Sequence, residues 1–227
     1  MAKRLFDVVL SGAALVILAP LLLGLAVWVA VDSPGGIFYH GVRAGRWNRP
    51  FQMLKFRTMV KNAESVGGPT TGHGDPRITP SGSFLRRFKL DELPQLINVL
   101  RGEMSLVGPR PQVLSYTNNY EGEFRDILSV RPGITDWASI WNADETAVLA
   151  GASDVDRAYD ILINPTKLRL QLRYVRDRSF LTDLRIIYCT LRRILDRDYY
   201  PVELAGTPPL PRGAGASVTS VTPVTSG

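Results

Sequence analysis

From Val8 to Val31 the chain carries no charged side chain, and nearly every position is apolar. At 1.5 Å per residue, about 24 helical residues reach about 36 Å, enough to cross a hydrocarbon core of about 30 Å. The run is too long for the apolar core of a secretory signal, and Leu21-Leu22-Leu23 occupies the place where a small-residue cleavage site would fall. Pro20 lies near its middle, where it removes one helical hydrogen bond and crowds the preceding turn. Two outcomes fit this pattern. A kinked helix spans the bilayer, or the helix enters one leaflet, turns at Ala19 and Pro20, and leaves on the same side.

After Asp32-Ser33-Pro34-Gly35-Gly36 the pattern becomes that of a water-exposed domain. Ile37-Phe38-Tyr39 and Pro50-Phe51-Gln52-Met53-Leu54 flank a polar turn at Gly45–Asn48, which predicts a short hairpin. Residues 61–82 are rich in Gly, Thr and Pro and read as a long loop. Ser83 is the expected cap of a helix running to about Arg101, with Leu85, Phe88, Leu93, Leu96, Ile97 and Leu100 as its apolar positions. Further helices are expected over 112–128, 154–163 and 166–178. Leu181, Leu184, Ile187, Tyr188, Leu191 and Leu195 form the apolar stripe of a last helix, which carries Arg185, Arg192, Arg193 and Arg197 beside it. Beyond Ala205 the composition falls to Gly, Pro, Ala, Ser, Thr and Val, the signature of a disordered tail over 205–227. The fold class is therefore α/β, mostly helical with a small β-hairpin: a membrane helix over 1–34, a compact domain over 35–204, then the tail.

Lys and Arg number 27 against 21 Asp and Glu, a formal charge of +6. That excess favours a polyanionic partner: nucleic acid, an anionic leaflet, or phosphate-bearing substrates. Cys189 is the only cysteine, so neither an internal disulfide nor C-x-x-C metal spacing exists. His40 and His73 lack companion ligands and read as loop or surface residues. P-loop, dinucleotide and nucleophile-elbow fingerprints are absent.

The densest polar information lies between Arg86 and Pro111. Asp91 and Glu92 are adjacent, about 100° apart around a helix, so they do not share a face. They either flank a common substrate, one carboxylate attacking phosphorus while the other manages protons or metal, or form a solvated acidic pair offsetting Arg86, Arg87 and Lys89. In Gly108-Pro109-Arg110-Pro111 two prolines fix the backbone around one arginine, which suits bidentate phosphate recognition. An ordinary turn with an exposed arginine has the same pattern. Lys55 and Arg57 alternate with Phe56, which places both cations on one face of an extended segment. Arg131-Pro132-Gly133 adds another constrained arginine.

Together these segments resemble the monotopic phosphoglycosyl transferases, the bacterial sugar transferase family. The matching stretches are Lys55-Phe56-Arg57-Thr58-Met59, Asp75-Pro76-Arg77-Ile78-Thr79, Leu90-Asp91-Glu92-Leu93-Pro94-Gln95-Leu96, the run from Gly102 to Pro111, and Val130-Arg131-Pro132-Gly133-Ile134-Thr135. The likeness extends over about residues 3–197 and includes the apolar helix with its mid-run proline. It implies a dyad of Asp91 and Glu92, with Asp91 both nucleophile and ligand of Mg2+. It implies phosphate-binding roles for Arg86, Arg110 with Pro109 and Pro111, and Lys55, beside the basic candidates Arg57 and Arg131. Asp136 stands where the family carries a small residue. Gln171 aligns with an Asp that members carry shortly before a Tyr-Val pair. The stretch Trp141–Asp160 is longer than in the smallest members. These departures leave the sugar open.

The implied partners are a UDP-sugar donor, a polyprenol (undecaprenyl) phosphate acceptor and inner-membrane lipids, with no nucleic acid and a homodimer left open. Nucleotide sugars are cytosolic, and Lys3 and Arg4 favour a cytosolic N-terminus. A spanning helix would separate the catalytic domain from its donor, so re-entry at Ala19-Pro20, with the domain facing the cytoplasm, is the expected topology. The last helix then suits an anionic leaflet. A membrane-tethered basic protein without enzymatic activity is the competing class; it leaves the ordered acidic and arginine motifs unexplained.

Overall fold

The computed structural model describes residues 2–63, 75–196 and 198–218. His73, Arg197 and the tail beyond Val218 lie outside the described residues. The first helix, α1 (Ala2–Asp32), runs without interruption through Pro20. The turn expected at Ala19-Pro20 is thus not present within α1; one missing N–H deprives a helix of a single bond and need not end it. If straight, these 31 residues would reach about 46 Å. Most of α1 is exposed and apolar, including Val16, Ile17, Leu23 and Val31.

Both ends of α1 are nevertheless tied to the same domain. At the N-terminal end Lys3 Nζ donates to Asp183 Oδ2 (2.6 Å) and to the Val107 carbonyl (3.1 Å). Arg4 donates to the carbonyls of Val99 (2.7 Å) and Leu100 (3.0 Å), and buried Asp7 accepts from Ser105 Oγ (2.8 Å) and Leu106 N (3.2 Å). At the other end Asp32 Oδ2 accepts from Ser81 N (3.0 Å) and Ser81 Oγ (2.7 Å). Leu25 and Val29 pack there with Phe56 and Leu85.

The predicted hairpin forms. Strands β1 (Phe38–Ala44) and β2 (Pro50–Phe56) pair antiparallel from Phe38 opposite Phe56 to Ala44 opposite Pro50. The single helix expected from Ser83 to Arg101 is two. Helix α2 (Pro80–Arg87) is capped by Thr79, whose side chain accepts from Gly82 N (3.0 Å), so Ser83 lies inside it. Lys89 adopts a left-handed conformation (φ 56°), a 3-10 turn covers Leu90–Glu92, and α3 (Gln95–Arg101) follows. The break itself lies at Lys89; Pro94 then has no N–H for the Leu90 carbonyl, which accepts from Leu93 in the tighter turn (3.3 Å).

A second sheet, absent from the sequence reading, pairs β3 (Ser105–Val107) parallel with β4 (Gly133–Thr135). Three-residue strands leave no alternation to detect. The helix expected over 112–128 is a single α-helical turn at Leu114–Thr117 and, after a break over 118–121, a 3-10 segment at Gly122–Ser129 that opens on Gly122 at φ 51°. The short helix α4 (Trp137–Trp141) follows β4. The two helices expected over 154–178 are continuous: Val155–Ala158, a wide π turn at Tyr159–Ile163, then α5 (Asn164–Asp177). The last helix, α6 (Phe180–Leu195), matches its apolar stripe.

The largest core gathers Val107, Trp137, Trp141, Leu149, Tyr159, Tyr174 and Ile186. Residues 205–218 close over it, contrary to the expected disorder. Leu210, Ala214 and Val218 pack against the core, Trp141 Nε1 donates to the Pro208 carbonyl (3.0 Å), and Gly213 N donates to the Ala147 carbonyl (2.7 Å). Glycine and proline shape this segment without a regular period, and its few apolar residues have a surface to cover.

Candidate active site

The joint between α2 and α3 sets the carboxylate pair. Asn98, wholly buried on α3, accepts from Leu54 N (2.9 Å) and donates to the Gln52 carbonyl (2.8 Å) and Glu103 Oε2 (2.7 Å). This fixes α3 against β2 and brings Lys55 of β2 to Glu92. Lys55 Nζ donates to Glu92 Oε1 at 2.7 Å; Arg110 donates to Oε2 at 3.0 Å through one terminal nitrogen and to Oε1 through the other. Burial alone would raise the Glu92 carboxyl, but Arg110 and Lys55 hold it well below the usual range, and Glu92 in turn raises Arg110. Glu92 is therefore ionised and gripped by a guanidinium fork and an ammonium.

Asp91 is its opposite. It is 6% exposed, and among the described residues nothing hydrogen-bonds to its side chain. Burial pushes its carboxyl up, Lys55 pulls it back, Glu92 adds to the rise, and Lys89 and Arg86 lower it again. Neighbouring carboxylates are thus split by environment: one neutralised by two cations, the other poorly solvated with uncommitted lone pairs. A desolvated carboxylate that points at no donor can attack an electrophile. The oxygens of Asp91 also fit Mg2+, which takes one or two protein carboxylates and fills its octahedron with phosphate oxygens and water. Among the described residues no group of three His, Cys, Asp or Glu could cage a metal.

Arg86 closes another side. Its Nε donates to Thr58 Oγ1 at 2.8 Å; burial lowers its pKa while the charges of Asp91 and Asp75 raise it. Arg110 lies between Pro109 and Pro111, which line a small cleft with Ala44, Gly45 and Tyr120. The structure thus gathers Asp91, Glu92, Lys55, Arg86 and Arg110.

Arg57 and Arg131 are not in that group. Arg57 donates to the carbonyls of Ser33 (2.7 Å) and Pro34 (2.8 Å), capping the end of α1. It lies one residue past β2, where strand alternation no longer holds it beside Lys55. Arg131 is exposed, and its Nε donates to the Gly102 carbonyl at 2.8 Å. Both arginines satisfy carbonyls at helix ends, a use that sequence cannot tell from phosphate binding. Sequence reasoning missed Asn98 and Thr58 as supports. An asparagine among Leu96, Ile97, Val99 and Leu100 was a usable signal for the first. Buried Lys167, which donates to Tyr159 OH at 2.7 Å, was also missed.

Comparison with known proteins gives a consistent picture. The family description that matches is "Bacterial sugar transferase", over residues 1–197. A UDP-N-acetylgalactosamine-undecaprenyl-phosphate N-acetylgalactosaminephosphotransferase of Aeromonas hydrophila is 36% identical over 198 residues, covering 85% of this chain and 43% of that protein. A UDP-glucose:undecaprenyl-phosphate glucose-1-phosphate transferase of Xanthomonas campestris is 40% identical over 200 residues, covering 86% of this chain and 39% of that one. The exopolysaccharide production protein ExoY of Sinorhizobium fredii is 36% identical over 215 residues, covering 88% of each. The chain thus spans less than half of the first two relatives and most of the third.

Proposed function

The chain belongs to the bacterial sugar transferase family, and on that premise we propose that it moves a sugar-1-phosphate from a UDP-sugar to undecaprenyl phosphate, an early membrane step in making an exopolysaccharide or related glycoconjugate. The observation that carries the reading is the split dyad: Asp91 buried with free oxygens beside Glu92 held by Lys55 and Arg110. The names of the relatives support the donor and acceptor classes.

In this reading an Asp91 oxygen forms a bond to the sugar-linked phosphorus and the bond to UMP oxygen breaks, leaving the phosphosugar on Asp91 as an acyl phosphate. An oxygen of undecaprenyl phosphate then attacks the same phosphorus, and the Asp91 carboxylate leaves. Two displacements divide one hard step into two. Arg86 and Arg110 draw off charge from the phosphoryl oxygens, which would otherwise repel an anionic nucleophile. Glu92 keeps Arg110 and Lys55 in place when the site is empty. Mg2+, held by Asp91 and donor phosphate oxygens, would supply further charge neutralisation.

A panel of UDP-sugars, including UDP-glucose and UDP-N-acetylgalactosamine, tests this with purified protein, Mg2+ and a short polyprenol phosphate. At least one donor should release UMP and label the lipid. If every donor stays intact, the proposal fails.

The same reading places the domain and both ends of α1 on the cytoplasmic face. Its support is physical: Lys3, Arg4 and Asp7 at one end and Asp32 at the other bind one domain, whereas a spanning helix puts about 30 Å of hydrocarbon between its ends. Exposed Phe180, Leu181, Leu184, Leu191 and Leu195 on α6 would share the leaflet with α1. Single cysteines, Ala2→Cys and Ser217→Cys in a Cys189→Ser background, report sidedness through an impermeant thiol reagent. Both should be shielded in intact cells and labelled after lysis. Labelling of the Ser217→Cys protein from outside would establish a spanning helix instead.

A further inference from the structure

The geometry points to Asp136 and Gln171 as positioning residues that hold the Arg110 peptide from both sides and so aim its guanidinium at the dyad. The inference rests on the reading of Arg110 given above. In Pro109-Arg110-Pro111 neither proline has an N–H, so Arg110 supplies the only backbone donor of the three. That donor goes to Asp136 Oδ2 at 3.1 Å. The neighbouring carbonyls are also engaged: Pro109 O accepts from Gly133 N (3.0 Å) and Arg110 O accepts from Gln171 Nε2 (3.4 Å).

Asp136 and Gln171 lock each other. Gln171 Nε2 donates to the same Asp136 Oδ2 at 3.1 Å, while Asp136 Oδ1 accepts from Ser139 N and Ser139 Oγ, both at 2.7 Å, capping α4. Both side chains are completely buried. A carboxylate is needed at 136 because Oδ2 faces two donors; an amide there would turn a third N–H toward them. Asp136 thus joins three elements, α4 by capping, α5 through Gln171, and the Pro-Arg-Pro turn through its single N–H. Its negative charge adds to the rise that Glu92 chiefly causes at Arg110, and partly offsets the burial that lowers the pKa of Lys167. These positions are two of the departures from the family pattern, and here they are partners. β4 holds this proline-flanked turn at the Pro109 carbonyl, and beyond that bond the brace sets where the guanidinium points.

Gln171→Leu removes both donations with little change in volume, and Asp136→Asn replaces the shared acceptor. Each should lower kcat by about ten-fold or more with the folded membrane-bound protein retained. The discriminating measurement is a double-mutant cycle with Arg110→Lys, which keeps a cation but loses the fork. If Gln171 acts through Arg110, adding Gln171→Leu to Arg110→Lys should change kcat by less than about two-fold. A role in general stability would instead multiply the two losses, and that result would overturn the inference. Wild-type kcat in Gln171→Leu would also overturn it, even if Asp136→Asn fails to fold. Unchanged kinetics in Arg110→Lys and Arg110→Ala together would sink the clamp in the proposed function; impaired Arg110 variants with a silent Gln171→Leu would sink only the brace.

Discussion

Asp91→Asn should abolish turnover, by more than about a thousand-fold, while the protein stays folded and membrane-bound. An amide preserves the shape of the side chain but is too poor a nucleophile to form the acyl phosphate. Wild-type enzyme given donor without acceptor should release UMP in a burst stoichiometric with enzyme, and the variant should show none. The substitution should also stabilise. Burial raises the Asp91 carboxyl above its ordinary value, so at neutral pH the ionised form costs the folded state stability that the unfolded chain does not lose. Removing the charge should leave the melting temperature at or above wild type at pH 7. The gap should narrow as pH falls through the raised pKa, because the wild-type group then becomes neutral too. Near-normal turnover or a persisting burst would remove Asp91 from the covalent step.

Gly133→Ala should be as damaging by a different route. Where β3 and β4 lie side by side, a methyl on Gly133 would stand 2.0 Å from Gly108 N and 2.5 Å from Gly108 O. Both contacts are backbone, so no side chain can swing aside and the strands must separate. Overpacking of this kind costs roughly 1–3 kcal/mol or more. It would also pull Gly133 N from the Pro109 carbonyl and shift the turn that presents Arg110. A lower urea midpoint together with strongly reduced turnover is expected. Wild-type values for both would mean that the two strands have room that the structure does not show.

Asp91 is legible in the sequence alone, because an acidic pair followed by Leu-Pro, in order with the other motifs, carries the resemblance. Gly133 was visible only as part of Arg131-Pro132-Gly133, and its contact with Gly108 is made by residues 25 apart in sequence. The same limit applies to the arginines. Arg57, Arg86, Arg110 and Arg131 all looked like phosphate ligands, yet Arg57 and Arg131 bind carbonyls and Arg86 and Arg110 face the carboxylates. A guanidinium suits both partners equally, so local sequence cannot choose between them.

What the sequence determined alone were features set by neighbours along the chain: the apolar run of α1, the hairpin around its polar turn, the stripe of α6, and the residue types of the dyad. Hydrophobic period and turn chemistry act over a few residues and need no distant partner. Tertiary structure decided the rest. A left-handed Lys89 divides one expected helix so that Asp91 and Glu92 fall on a 3-10 joint, and residues 205–218 find a core surface that composition alone could not reveal. Lys55 and Arg110, 37 residues before and 18 after Glu92, meet on its carboxylate. Such pairings depend on which surfaces the packed elements bring together, and the free energy of one buried ion pair or backbone contact is fixed by that burial rather than by any local pattern.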